Sequence, residues 1–176
     1  MNNSITDCTN SLALDFDGTA SDGTQEKGTH LVCMGNVMRN VCQSYLFGVQ
    51  GAEFFENQIE IADQPLATSA VSAITLNACH DVYLHHNTII LPKPKQVSAY
   101  PIVVRQNTNR TSGKIHLHNN IISSDSGVYL MLYNGFTGEV DADKNKATSI
   151  TSSTPLKWVN NSKSKGIRLM DKNVYK

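Results

Sequence analysis

Several features that would assign the chain to a broad functional class are missing from it. The 15 basic and 15 acidic side chains cancel, so the chain lacks the basic excess with which nucleic-acid-binding proteins neutralise phosphates, and we expect no nucleic-acid partner. Its longest apolar runs are far shorter than the roughly 20 residues of a membrane-spanning helix, which predicts no membrane span. Residues 1–4 are polar and show no secretion signal.

Paired cysteines and the common catalytic motifs are also missing. The four cysteines, at positions 8, 33, 42 and 79, form no CxxC pair and no metal-finger spacing, so we expect reduced thiols. The chain contains no Gly-x-Ser-x-Gly, no phosphate-binding glycine-rich loop and no His-Glu-x-x-His. No stretch has the periodicity of a convincing amphipathic helix.

A repeated strand-like pattern is present instead. In residues 82–89 and 115–122, apolar and polar residues alternate up to an asparagine, and an apolar residue follows two positions later. Short alternation is typical of a strand with one buried face. Asparagines at the equivalent position of each copy are Asn3, Asn36, Asn57, Asn87, Asn120, Asn145 and Asn173. The lengths of chain between them fall in the range that indicates a solenoid.

A second apolar strand recurs in every repeat. Its centres, which are spaced more evenly than the asparagines, are Leu14, Leu46, Ile74, Ile102, Leu130 and Leu156. Residues 1–176 are therefore predicted to form a single all-β domain, a parallel β-helix solenoid of about six coils with three short strands each. An antiparallel sandwich would explain the alternation but not the return of asparagine at one register.

Stacked coils place equivalent residues in rows along the axis, about 4.8 Å apart. The inward rows are predicted to be aliphatic, for example Val82, Ile115 and Val140. The asparagine row is predicted to form a buried ladder of side-chain hydrogen bonds to the next corner, which satisfies polar groups that are costly to bury. Asparagine also tolerates a left-handed backbone, so we expect the ladder asparagines themselves to make the corner.

The V-x-L-x-x-N-x-I repeat resembles that of right-handed parallel β-helix proteins of the pectate-lyase-like superfamily, over nearly the whole chain. The resemblance implies a carbohydrate-active or carbohydrate-binding protein acting on polysaccharide, of polysaccharide lyase, glycoside hydrolase or phage tailspike type, with a divalent cation such as calcium as the cofactor it suggests. The repeat describes the coil and not the chemistry. The chain lacks the Arg-x-Pro-x-x-Arg segment and the acidic calcium cluster of classical pectate lyases.

The outward positions of the asparagine-ending strands carry the candidate site. Two rows are predicted to share one solvent-facing patch: Glu53, Tyr83, His116 and Asp141, and beside them Phe55, His85, His118 and Asp143. A carboxylate beside an imidazole raises the imidazole pKa and fixes its tautomer, which suits acid–base catalysis. The same groups can ligate a divalent metal. Equally, an exposed sheet face has to be polar, and these residue types are ordinary occupants of it.

The resemblance suggests roles for these residues. For a lyase, His116 or His118 is the candidate base, and Arg105 or Lys114, which bracket residues 106–113, is the candidate neutraliser of a substrate carboxylate. For a hydrolase, Asp141 and Asp143 would be the paired carboxylates. His85 belongs to the same catalytic patch. Tyr83 and Glu53 are the candidate substrate-binding residues, and Tyr129 and Tyr133 on the other sheet are either further sugar-stacking surfaces or packing residues.

The alternative function is structural. Residues 3–5 and 173–176 resemble incomplete units, and an uncapped solenoid end exposes backbone groups. The chain is then expected to be a segment of a longer protein, or to be covered by partners in a homo-oligomer or by neighbouring β-helix segments. In that case it would be a non-catalytic part of a phage tailspike or surface protein, located extracellularly or on a virion.

Overall fold

A computed structural model describes residues 1–8, 12–18, 30–61, 71–92, 98–106, 110, 112–133, 135–152, 154–160 and 168–171. This part of the chain contains strands and no helix. The strands are β1 (Ser4–Thr6), β2 (Leu12–Asp17), β3 (Leu31–Met34), β4 (Val37–Val41), β5 (Gln43–Phe47), β6 (Gln50–Phe55), β7 (Gln58–Ile61), β8 (Val71–Asn77), β9 (His80–His85), β10 (Thr88–Leu91), β11 (Ala99–Arg105), β12 (Lys114–His118), β13 (Ile121–Ser124), β14 (Val128–Tyr133), β15 (Glu139–Asp143), β16 (Lys146–Thr148), β17 (Lys157–Asn160) and β18 (Arg168–Asp171). Among the described residues, no helix has the length and apolar character needed to cross a membrane.

The strands form three parallel sheets of six strands each. The first sheet has the order β1-β4-β7-β10-β13-β16, the second β17-β14-β11-β8-β5-β2, and the third β18-β15-β12-β9-β6-β3. Each strand therefore pairs with the strand three positions away in sequence, and the chain visits the three sheets in turn. The predicted all-β parallel β-helix with three strands per coil is confirmed.

The number of coils differs slightly from the predicted six. In four successive coils, from β5 to β16, every strand is described together with its side chains. Strands β1–β4 and β17–β18 continue the three sheets at the two ends.

The inward rows of the third and first sheets match the prediction. On the third sheet, Val82 pairs with Ile115 and Ile115 with Val140, and all three are buried. On the first sheet, the row in register is Ile5, Met38, Ile59, Ile89, Ile122 and Ala147. Burial of aliphatic rows from all three sheets makes one continuous core, which is the main source of stability.

The register of the second sheet was predicted less well. Leu46 pairs with Phe16 and Leu76, not with Leu14 and Ile74. Similarly, Leu130 pairs with Trp158 and not with Leu156. At Leu46, a shift of two residues keeps the same side chains inward, so alternation alone cannot detect it. At Leu130 the register changes at a β-bulge, and the paired Trp158 is 39% exposed while Leu156 is buried.

A ladder of buried asparagines runs along the corner between the third and first sheets. In each rung, one Oδ1 accepts a backbone N–H and an Nδ2–H from the asparagine of the preceding coil. Asn57 Oδ1, for example, accepts from Asn36 N at 3.0 Å and from Asn36 Nδ2 at 2.9 Å. The same two bonds, at 2.8 to 3.1 Å, join Asn3 to Asn36, Asn57 to Asn87, Asn87 to Asn120 and Asn120 to Asn145. The predicted ladder is confirmed, and Asn173 lies outside the described residues.

The second Nδ2 hydrogen of these amides is also used. Asn87 Nδ2 donates to Phe54 O at 2.8 Å and Asn120 Nδ2 donates to Leu84 O at 2.9 Å, one coil back. Asn145 makes the equivalent bond to Leu117 O at 2.7 Å. The amides of Asn87 and Asn120 thus link their own coil to both neighbours, and these bonds satisfy polar groups that would be costly to bury unpaired.

The sequence predicts that the ladder asparagine itself has the left-handed backbone at this corner. That prediction is wrong, because the residue before each asparagine has it. Positive φ angles of 54° to 65° occur at Asn2, Gly35, Glu56, His86, Asn119 and Lys144. Because the buried amide must point along the coil axis, the preceding residue makes the turn. Its side chain is exposed at most coils, so its identity varies.

Replacing a ladder asparagine should destabilise the fold. Asn87→Leu or Asn120→Leu leaves buried donors and acceptors of the adjacent coils without partners, so each should lower the free energy of unfolding by about 1–3 kcal/mol. Denaturant unfolding of each variant measures this. Gln58→Leu removes an exposed amide next to the ladder and should change stability little. Equal stability of the ladder variants and this control would contradict the ladder's role.

Because the corner residue has a positive φ, stability should depend on how well its side chain tolerates that backbone conformation. Glu56 has φ 55°, a conformation that costs an L-residue about 1–2 kcal/mol and is worst for β-branched side chains. Glu56→Val should therefore be less stable than Glu56→Gly by about that amount in denaturant unfolding. Glu60→Val, on the exposed face of β7, provides the control and should be tolerated. Similar losses at both positions would contradict the argument.

Candidate functional site

The outer face of the third sheet brings the predicted patch together. Tyr83 on β9 pairs with His116 on β12, and His116 pairs with Asp141 on β15. In the parallel row, His85 pairs with His118 and His118 with Asp143. Residues from β6 extend both rows, since Glu53 pairs with Tyr83 and Phe55 with His85. None of these eight side chains is buried, and we call this set the third-sheet face.

The aromatic rings on the third-sheet face stack on one another along the axis. Tyr83 and His116 have ring centroids 4.1 Å apart and nearly parallel ring planes, at 2°. Phe55 and His85 stack at 4.9 Å and 9°. Stacking covers one face of each ring, so a ligand above the sheet would meet ring edges and the Tyr83 hydroxyl. Tyr83 nevertheless remains 42% exposed.

One carboxylate oxygen lies between two imidazoles. Asp141 Oδ2 is 3.6 Å from His116 Nδ1 and 3.7 Å from His118 Nε2. The three side chains are partly buried, with 13%, 32% and 25% exposure for His116, His118 and Asp141. The carboxylate therefore faces a different nitrogen of each ring, which leaves His116 Nε2 and His118 Nδ1 directed elsewhere.

The pKa of His116 does not move in the direction expected from its carboxylate neighbour. Burial lowers the pKa of His116, and the Lys114 ammonium lowers it further, and together they outweigh the raising effect of Asp141. Burial disfavours the charged imidazolium because charge is poorly solvated away from water. The expectation of a raised pKa was wrong, and the neutral imidazole is favoured.

His85 has a lowered pKa for a related reason. Burial lowers the pKa of His85, and the neighbouring His86 adds to the effect, while Glu53 opposes it. His85 Nδ1 and His86 Nδ1 lie 3.0 Å apart. One of these nitrogens must donate while the other accepts, so the contact is lost when both rings are protonated.

The cationic residues predicted to flank the site are separated by the fold. Lys114 lies on β12 two residues before His116, and its Nζ is 3.6 Å from Glu139 Oε1. It therefore lies beside the third-sheet face, on the same side of the sheet. Arg105 ends β11 in the second sheet, where its Nη2 donates to Tyr45 Oη at 2.6 Å. Tyr45 lies on β5 of the same second sheet, two coils towards the amino terminus, so Arg105 is not part of the third-sheet face.

A groove on the second sheet was not foreseen from the sequence. It has a volume of about 610 Å³ and is lined by residues that include Tyr45, Asn77 and Arg105. Asn77 Nδ2 donates to Tyr45 Oη at 2.7 Å, while Asn77 Oδ1 and Arg105 Nε are buried and have no hydrogen-bond partner among the described residues. The available signal was the placement of Tyr45, Asn77 and Arg105 in three successive copies of the second repeated strand.

The two tyrosines suggested as additional sugar-stacking surfaces differ in environment. Tyr129 is fully buried in the core, and so it is a packing residue. Tyr133, at the end of β14, is 45% exposed and lines a cleft of about 290 Å³ on the second sheet.

No protein-family model, curated protein or solved structure gives a significant match to this chain.

Removing His86 should raise the pKa of His85. In His86→Asn the corner keeps a residue that tolerates positive φ, while the second imidazole is lost. NMR titration of the His85 ring, in buffer with a chelator, should show its pKa moving up towards the ordinary value of about 6.5. Lys144→Asn changes the equivalent corner two coils away and should leave the pKa of His85 unchanged. An unchanged pKa in His86→Asn would contradict the coupling.

The lowered pKa of His85 also determines how protein stability changes with pH. Because the pKa of His85 is lower in the folded chain than in the unfolded chain, its contribution to stability is present above about pH 6.5. It is lost as the pH falls through the folded value. Melting temperatures measured from pH 7.5 to 5 should therefore fall less steeply for His86→Asn than for the wild type.

Proposed function

We propose that the protein binds a polysaccharide along the third-sheet face, with proton-transfer chemistry on an acidic sugar as its activity. The observation that carries the proposal is the in-register row of Tyr83, His116 and Asp141 across three adjacent strands. A rigid sheet face that repeats hydroxyl, imidazole and carboxylate groups about every 4.8 Å suits an extended, repeating ligand. The resemblance of the repeat to pectate-lyase-like proteins supports the same substrate class.

His116 is the preferred base in this proposal. Its Nδ1 faces Asp141 at 3.6 Å, so the Nδ1–H tautomer is favoured and Nε2 carries the lone pair that accepts a proton. His118 presents its Nε2 to the same carboxylate oxygen, which makes it the second candidate. A lyase base of this kind removes the proton alpha to a uronate carboxyl group. The C–H electron pair forms a carbon–carbon double bond as the glycosidic C–O bond at the beta carbon breaks, and the departing oxygen takes a proton from water.

Lys114 is the preferred group to offset the charge of that substrate carboxylate. It lies on the same face as His116 and is 41% exposed at its side chain. Arg105 is less suited, because its guanidinium is engaged with Tyr45 on the second sheet. The proposal therefore assigns the neutralising role to Lys114 alone.

Hydrolysis by Asp141 and Asp143 receives less support. Two residues apart on one strand, they are separated by about 7 Å, which is within the range of inverting glycosidases. However, Asp141 Oδ2 is shared by two imidazoles, and Lys144 Nζ lies 3.9 Å from Asp143 Oδ2. These contacts occupy the carboxylates and favour their role as orienting groups.

A structural role is the competing proposal, and one observation favours it. The rings of the third-sheet face stack on one another, and the charges of Lys114 and Glu139 next to this face pair with each other. A face whose groups are mutually satisfied needs no ligand. In that reading the chain is a non-catalytic β-helix segment that assembles with partner chains.

The double variant His116→Ala/His118→Ala distinguishes these proposals. The wild type should release unsaturated uronate, read by absorbance, from at least one member of a panel of acidic glycans. The double variant should lose at least about 100-fold in rate, as expected for removal of a general base. His30→Ala removes an exposed histidine that precedes β3 and is the matched control.

Two outcomes would contradict the catalytic proposal. Unchanged activity in the double variant would remove both histidines from the mechanism. Absence of both product release and glycan retardation in affinity electrophoresis, across the whole panel, would favour the structural role.

A further inference from the structure

We propose that His116, His118 and Asp141 form a binding site for a divalent transition-metal ion of the zinc class. The site lies on the third-sheet face, but its existence does not depend on glycan binding or on lyase chemistry. It goes beyond the proposed function because it assigns a specific ion class and three specific ligand atoms.

The ligand atoms already converge. One ring nitrogen of His116, one ring nitrogen of His118 and a carboxylate oxygen of Asp141 all lie within 4.8 Å of one another. Asp141 Oδ2 is 3.6 Å from His116 Nδ1 and 3.7 Å from His118 Nε2. Zinc bonds of about 2.0–2.1 Å in a tetrahedral site place donor atoms about 3.3 Å apart. Small side-chain rotations are therefore enough to bring the three atoms to bonding distance.

The donor types select the class of metal. Two imidazoles and one carboxylate are borderline-soft ligands that suit zinc and other first-row divalent ions. Calcium requires six to eight oxygen ligands, which three residues with a single carboxylate cannot supply. The ligands therefore suit a transition-metal ion of the zinc class, and not the calcium that the resemblance suggests.

The sheet holds the ligands rigidly. His116 and Asp141 are directly opposite one another on β12 and β15, and His118 is two residues further along the same face. Behind them, Ile115 and Leu117 are buried in the core, which fixes the backbone. The ring of His116 is further restrained by stacking on Tyr83 at 4.1 Å. Sites on regular elements are held more precisely than sites on loops.

The surroundings also permit binding. The three side chains keep between 13% and 32% exposure, so an ion can enter and water can complete its coordination. Lys114 is the cation nearest in sequence to the ligands, and its ammonium pairs with Glu139 at 3.6 Å, which offsets its repulsion. Three protein ligands with an open position are typical of zinc sites that activate water.

Cobalt and zinc titrations test the site directly. Chelator-treated wild type should bind one Co²⁺ per chain with visible d–d absorption, and one Zn²⁺ with a dissociation constant in the micromolar range or tighter by calorimetry. His116→Ala, His118→Ala and Asp141→Asn should each weaken Zn²⁺ binding by at least about 100-fold, since even loss of an outer-shell partner costs 10–100-fold. Asp143→Asn, on the same strand and face, should retain binding.

Folding and background binding are controlled in the same experiment. The ligand side chains face outward, so the variants should melt cooperatively without metal, and zinc should raise the melting temperature only where all three ligands remain. The triple variant His116→Ala/His118→Ala/Asp141→Asn lacks all three ligands, so any zinc that it binds is held by the other histidines or the cysteines.

Retained one-to-one binding in the triple variant would overturn the assignment, as would wild-type affinity no tighter than millimolar, or binding of Ca²⁺ in preference to Zn²⁺. Because no glycan is present, failure of the metal site and failure of the proposed activity are read separately.

Discussion

The buried asparagine amides are the interaction on which the rest of this structure depends. Each one sits inside the coil, where an unpaired amide is costly, and each finds its partners in the coils before and after it. Asn87, for example, accepts from Asn57 and donates to Asn120 and to Phe54 O. The hydrogen bonds of one amide therefore form only if the next coil places its own asparagine at the same register. The ladder sets the register of successive coils, while the aliphatic rows behind it contribute most of the burial.

The same register creates the candidate site. Tyr83, His116 and Asp141 belong to three different coils and are far apart in sequence, and they become neighbours only because their strands end at consecutive rungs. A rigid sheet then presents side chains from separate coils at strand spacing. Chemistry on this face is therefore coupled to the ladder, since a coil that lost its register would move an imidazole away from its carboxylate.

The arrangement of His116 and His118 around Asp141 is compatible with two uses of a neutral imidazole. A lone pair can accept a proton or bind a metal, and burial of His116 favours the neutral form that both require. With an ion bound, His116 Nδ1 would be one of its ligands, and the ion would supply Lewis-acid chemistry at this face. Stacking of Tyr83 on His116 holds the ring in either case. The second-sheet groove around Arg105 is a separate feature, with buried polar atoms that have no hydrogen-bond partner in the part of the chain that the structure describes.

The sequence by itself determined the fold, the inward rows and the pairing of the third-sheet face, because a buried asparagine marks each coil at one register and alternation with period two assigns the faces. Where no such marker exists, only the tertiary structure determined the strand register and the backbone conformation. The second-sheet register of Leu46 was one such case, since a two-residue slip preserves every face. The corner conformation was another, because Glu56 and His86 share a left-handed backbone but no chemistry. The direction of the His116 pKa and the position of Arg105 also depend on burial and on neighbours from other coils, which spacing along the chain does not encode.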